Sequence, residues 1–88
     1  MAAGDYSGKG TGTIPKSGPG VISSVDITVT GAGATDVVTV NFQSDIPRDA
    51  FGTFQFKAVP STNKVTITAN RAQLPTNVSV DVMTFATA

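Results

Sequence analysis

Alternation of β-branched and polar residues is the feature of this sequence that most limits its fold. The segment VISSVDITVT at residues 21–30 places Val25, Ile27 and Val29 on one side of an extended chain and mostly hydroxyl or charged side chains on the other. Leucine, a strong helix former, occurs only once, at Leu74, whereas Val, Thr and Ile are abundant. Because β-branched side chains suit a pleated, half-buried surface, we expect an almost entirely β protein.

Four further segments repeat this alternation, and turn-rich connections separate them. They are VVTVNF (37–42), TFQFKAV (53–59), KVTITAN (64–70) and VSVDVMTF (78–85). The connection PSTN, between the third and fourth of the five predicted strands, is short enough for a hairpin. Short strands at this spacing predict an all-β domain at residues 21–88, either a small antiparallel β-sandwich or an open barrel.

Residues 1–20 have a different character, because they contain six of the nine glycines and two of the five prolines. Within them, GDYSGKGTG looks at first like a phosphate-binding loop. Its spacing is one residue short of a P-loop, its lysine is followed by Gly10 instead of Ser or Thr, and no helix can follow through Pro15 and Pro19. Since the segment has no periodic apolar face, we expect residues 1–20 to be an extended N-terminal arm that becomes ordered against partners.

The charge balance and the missing residue types argue against several classes of function. Six basic side chains balance six aspartates, so the chain lacks the Lys/Arg excess of a nucleic-acid binder. No apolar run reaches transmembrane length. The chain has neither Cys nor His for a nucleophile–base pair, and Arg48 is expected to pair with Asp45 or Asp49, the nearest two carboxylates. We therefore expect no enzyme activity, no cofactor, no metal site, and neither nucleic acid nor a membrane as partner.

The last predicted strand carries apolar residues on both faces. The valines of VSVDV share one face, whereas Met83 and Phe85 lie on the other. Either a bulge shifts the register or the terminus simply frays, or another subunit covers the second face. A core this small typically supplies only about 3–5 kcal/mol, so we expect a homo-oligomer, with a trimer favoured. The candidate interface residues are Tyr6, Ile14, Met83 and Phe85.

Two motifs precede this last strand. The first, ITVTGAGATDVVTV, combines a turn with alternating valines and is carried by Gly31, Ala32, Asp36, Val38 and Val40. The second, VPSTNKVTITANRA, is carried by Val59, Ser61, Asn63, Val65 and Ile67. Together with VSVDVMTF, these motifs resemble those of small β modules in bacteriophage virion proteins, including capsid-decoration or cement proteins and head-fibre proteins. The resemblance covers residues 25–85, and Thr35 stands where such modules usually carry glycine.

The resemblance implies a virion structural protein that is made in the host cytoplasm. Such a protein would decorate or cement the capsid by contacts with the major capsid protein or another virion protein. The alternative is an Ig-like binding module of a fibre or adhesin, which would recognise a carbohydrate or a protein. Carbohydrate binders usually display exposed aromatic side chains, and most of the five phenylalanines here fall on predicted core faces. This distribution favours the structural role.

Overall fold

A computed structural model describes residues 4–87, and this part of the chain forms an all-β sandwich. The strands are β1 (Tyr6–Ile14), β2 (Ile22–Thr28), β3 (Val37–Phe42), β4 (Arg48–Asp49), β5 (Gly52–Thr53), β6 (Phe56–Ser61), β7 (Lys64–Ala72) and β8 (Val78–Phe85). One three-stranded sheet has the strand order β1-β8-β3, a second has the order β2-β7-β6, and β4 pairs with β5 in a small hairpin. All of these pairings are antiparallel. The predicted all-β fold is confirmed.

The two larger sheets pack face to face, with β1 against β2 and β3 against β6. Side chains that alternate along the strands fill the space between the sheets, as the sequence predicts. Between β3 and β6, the rings of Phe42 and Phe56 lie 5.4 Å apart. The largest fully buried side chains are Phe54, Ile14, Ile27, Ile67, Leu74, Val29, Val65, Val78, Val80, Val82 and Thr84.

The N-terminal segment differs from the extended arm that the sequence predicts for residues 1–20. Residues 6–14 form β1, which pairs with β8 from Tyr6 opposite Phe85 to Ile14 opposite Val78. Ile14, expected as an interface residue, has no exposed surface and belongs to the protein's own core. This corrects both expectations for the described residues, while residues 1–3 of the predicted arm, like residue 88, lie outside them.

Glycines account for both the position of β1 and its missing apolar pattern. Gly8, Gly10 and Gly12 occupy every second position, so most of the inner face of this strand carries no side chains. A Cβ atom on Gly10 would overlap the carbonyl oxygen of Thr28, and one on Gly12 would lie 2.8 Å from Cγ1 of Ile27. The glycines therefore allow β1 to approach β2 closely, and the side chains of β2 supply the apolar contacts that β1 itself lacks.

The last strand contains no bulge. Its pairing with β3 is continuous, and Thr84 extends the buried face of the valines. The register shift of this sheet lies instead in β1, between Tyr6 and Gly8. Met83 and Phe85 therefore lie on the outer face of the β1-β8-β3 sheet. The alternative that another subunit covers this face stays a prediction.

Gly10→Ala tests the close approach of β1 to β2. The added methyl group would meet the backbone of β2, so we expect the free energy of unfolding to fall by about 1–3 kcal/mol in a urea titration, as for other overpacked sites. Thr11→Ala is the matched control, because this exposed side chain lies on the outer face of the same strand and should change stability by less than about 0.5 kcal/mol. Equal, small effects of the two changes would mean that β1 does not pack against β2.

Candidate interaction surface

The outer face of the β1-β8-β3 sheet carries apolar side chains at one end. We call this group the outer patch and define it as Tyr6, Val37, Met83 and Phe85. The register places Tyr6, Phe85 and Val37 side by side on the three strands, with Met83 two residues from Phe85 along β8. The rings of Tyr6 and Phe85 lie 6.4 Å apart with an interplanar angle of 57°. Tyr6 is 50% exposed, Val37 55% and Met83 40%, so the patch is open to a partner.

Polar side chains border the patch on the side toward the middle of the sheet. Thr11, Asp81 and Asn41 form a row across the same face, two residues beyond Met83 on β8. The outer face of the β2-β7-β6 sheet is mainly polar as well, and on it Thr66 Oγ1 donates to Asp26 Oδ1 at 2.6 Å. Exposed apolar groups with a polar border are typical of surfaces that bind another macromolecule.

Three polar side chains lie on the inner side of the sheet at the same end. Ser7, Thr84 and Asp36 are each adjacent in sequence to a residue of the patch. Ser7 Oγ donates to Asp36 Oδ2 at 2.6 Å and lies 2.7 Å from Thr84 Oγ1. Because the only hydroxyl hydrogen of Ser7 is given to Asp36, the hydrogen between Ser7 and Thr84 comes from the Thr84 hydroxyl, whose Oγ1 also lies 3.4 Å from the Gly8 carbonyl oxygen. This polar network connects β1, β8 and the residue before β3 directly beneath the outer patch.

The same network stabilises the charged form of Asp36. The Ser7 hydroxyl is the largest cause, the Gly33 N–H, 3.0 Å from Oδ2, is the second, and together they hold the pKa of Asp36 below its ordinary value. Desolvation acts in the opposite direction but is weaker. Asp36 is therefore expected to remain a carboxylate through mildly acidic pH.

The glycine and asparagine of the two sequence motifs connect loops at this end of the sandwich. The Gly31 N–H donates to Asn63 Oδ1 at 3.0 Å, and the Asn63 N–H donates to the Ala32 carbonyl at 3.0 Å. Both Gly31 and Asn63 have positive φ angles, of 98° and 59°, which glycine and asparagine adopt most readily. These motif residues therefore have structural roles: they join the β2–β3 connection to the β6–β7 hairpin.

The β4-β5 hairpin presents a second exposed aromatic side chain, Phe51, with 86% of its surface accessible. The Phe51 N–H donates to Asp49 Oδ1 at 2.8 Å. Arg71 binds both carboxylate oxygens of Asp49, at 3.2 and 2.7 Å, and also donates to the Gly52 carbonyl. Its guanidinium lies 4.0 Å from the centre of the Phe54 ring, which is buried. The hairpin is thus held firmly against the sandwich while its Phe51 side chain projects from it.

The Arg71–Asp49 pair corrects one expectation. The sequence predicts that Arg48 pairs with Asp45 or Asp49, but Asp49 binds Arg71. The hydrogen bonds from Arg71 are the main cause that lowers the pKa of Asp49. The two residues are 22 positions apart in the sequence, and only the folded chain brings them together.

Comparison with protein-family models, curated proteins and solved structures finds no match to this chain. Across residues 4–87, no helix has the length and hydropathy required to cross a membrane. The same residues contain no cluster of three or more His, Cys, Asp or Glu side chains that could hold a metal ion.

Three of the four predicted interface residues lie together in the outer patch: Tyr6, Met83 and Phe85. Ile14 does not, because it is buried, and Val37 joins the patch without having been predicted. The doubled valine at positions 37 and 38 was an available signal, since consecutive residues of a strand face opposite sides and one of the two must point outward.

Ser7→Ala tests the polar network beneath the patch. Because the pKa of Asp36 is lower in the folded state, its contribution to stability is complete above about pH 4 and is lost as the pH falls through the lowered value. Removing the Ser7 hydroxyl should raise the pKa of Asp36 toward its ordinary value and reduce the loss of stability on acidification. Carboxyl-carbon NMR titration and unfolding curves at several pH values measure both effects.

Ser24→Ala is the matched control for this change. The Ser24 hydroxyl is exposed and lies 3.2 Å from Thr68 Oγ1, and both residues belong to the β2-β7-β6 sheet, which does not contain Asp36. The titration of Asp36 should not respond to it. An Asp36 titration curve that is the same in Ser7→Ala and in the unmodified protein would contradict the role given to Ser7.

Proposed function

We propose that this protein is a bacteriophage virion structural protein that decorates or cements the capsid, with the outer patch as its attachment surface. The partner would be the major capsid protein or another virion protein. The observation that carries the proposal is the exposure of Tyr6, Val37 and Met83 together on one sheet face. The similarity of the sequence motifs to those of phage virion modules supports the same role.

Attachment through this patch would rely on the removal of apolar surface from water, which contributes about 25 cal/mol per Å². The Tyr6–Phe85 ring pair provides the large aromatic surface that often dominates binding energy at interfaces. Thr11 and Asp81 would lie at the polar rim, where hydrogen bonds fix orientation. A capsid repeats its binding sites over a lattice, so several weak contacts of this kind can give firm attachment when subunits are linked.

The double variant Val37→Ser/Met83→Ser tests this proposal. Both side chains project outward, so the fold should persist, whereas binding to empty capsids of the same phage in co-sedimentation should weaken by roughly ten-fold or more. Val59→Ser is the matched control, because Val59 is 45% exposed but lies on the outer face of the other sheet. If the double variant binds capsids as well as the unmodified protein does, or if Val59→Ser weakens capsid binding equally, attachment does not occur through the outer patch.

A second candidate function is a fibre or adhesin module that binds a carbohydrate or a protein, and the exposure of Phe51 favours it. An exposed ring on a well-supported hairpin can stack on a sugar or enter a pocket of a protein. Arg48, Gln73 and Lys16 border the groove beside Phe51 and provide hydrogen-bond donors.

Phe51→Ala separates the two candidate functions. If the protein is a capsid-decoration protein, this change should leave capsid binding within about two-fold, since Phe51 is not part of the outer patch. If it is a fibre-type module, a panel of oligosaccharides should show binding that Phe51→Ala abolishes and Val37→Ser/Met83→Ser preserves. Thermal unfolding of Phe51→Ala checks that the hairpin remains in place.

A further inference from the structure

Strand β3 is an edge strand with unused hydrogen-bonding groups. The Gln43 N–H, just beyond the strand, donates to the Ser79 carbonyl of β8 at 2.8 Å. Since backbone groups alternate in direction along a strand, the N–H and C=O groups of Val38, Val40 and Phe42 point away from β8. Among the described residues, no hydrogen bond outside the β3–β8 ladder reaches these groups. The edge can therefore accept another strand.

The other three edges of the two larger sheets carry features that discourage such pairing. Strand β1 has Lys9 and a register shift, β2 has Asp26 and a register shift, and β6 has Lys57 and Pro60. Charges, proline and bulges are the usual means by which edge strands avoid pairing with other chains. The β3 sequence, VVTVNF, contains none of these, and its register with β8 is continuous.

We propose that β3 pairs antiparallel with β3 of a second copy of this chain. The register that uses all the free N–H and C=O groups has a two-fold axis at Val40. Val40 then pairs with Val40 of the other copy, and Val38 pairs with Phe42 of the other copy. The inner face gains a valine–phenylalanine cross-strand contact on each side of the axis, a favourable pairing in antiparallel sheets. On the outer face, Thr39 of one copy lies opposite Asn41 of the other.

This pairing joins two β1-β8-β3 sheets into one continuous sheet of six strands and closes as a dimer. It differs from the trimer that the sequence favours. It does not depend on the proposed attachment to capsids, because only strand-edge groups and the side chains of β3 take part. The outer patches of the two copies remain exposed on the same face of the joined sheet.

Charge substitutions at Thr39 and Asn41, both exposed on the outer face, test the register. Sedimentation velocity of the unmodified protein at about 100 μM, well above a micromolar dissociation constant, should show a dimer. Thr39→Lys/Asn41→Lys places like charges opposite each other twice and should weaken the dimer by roughly ten-fold. Thr39→Asp/Asn41→Lys places opposite charges there and should retain the dimer.

Thr11→Lys is the matched control, because it adds the same charge to the same sheet face at the opposite edge, on β1, and should leave the dimer unchanged. A second measurement needs no variant: amide exchange of Val38, Val40 and Phe42 should slow as the concentration of the unmodified protein rises. Any of three results would overturn the proposal. The unmodified protein could be monomeric or trimeric at about 100 μM, the paired lysines could leave the dimer unchanged, or exchange at these amides could be independent of concentration.

Discussion

The absence of side chains on most of the inner face of β1 is the constraint on which the closed sandwich depends. Any residue larger than glycine at position 10 would meet the backbone of β2, so the two sheets could not approach as they do on this side. With the glycines in place, β1 gives β8 a hydrogen-bonded neighbour on its second edge and brings Ile14 into the core. Because the chain has no cysteine for a disulfide, a domain this small depends on such packing for its stability.

Because side chains alternate along a strand, the residues of the polar network beneath the β1-β8-β3 sheet and the residues of the outer patch are neighbours in sequence. Ser7, Thr84 and Asp36 meet beneath the sheet, and the residue next to each of them in sequence belongs to the outer patch. The register shift near the start of β1 makes this possible, because it lets both Ser7 and Gly8 lie on the inner side while Tyr6 stays opposite Phe85. A slip by one residue would expose the polar network and bury the patch.

The outer patch and the free edge of β3 belong to the same sheet, because Val37 of the patch is the first residue of β3. In a dimer joined through β3, two patches would face the same direction at a fixed separation. If the protein attaches to capsids as proposed, such a dimer would bind a lattice of capsid subunits at two points, which raises the effective affinity without any new contact. The β4-β5 hairpin with Phe51 is separate from this arrangement, since it is held to the sandwich through Arg71 on β7.

The sequence by itself determined the five longer strands of residues 21–88 and most of the core, because alternating β-branched residues specify one buried face without reference to other segments. It also identified Tyr6, Met83 and Phe85 as unusual apolar residues, since each falls outside a predicted buried face. It did not predict the short β4-β5 hairpin. It did not reveal β1, because a strand whose inner face is glycine has no hydrophobic period. Only the tertiary structure decided that β1 packs on β2, that Ile14 is buried, and that Arg71 binds Asp49. Each of these depends on contacts between segments far apart in the chain, which no local pattern records.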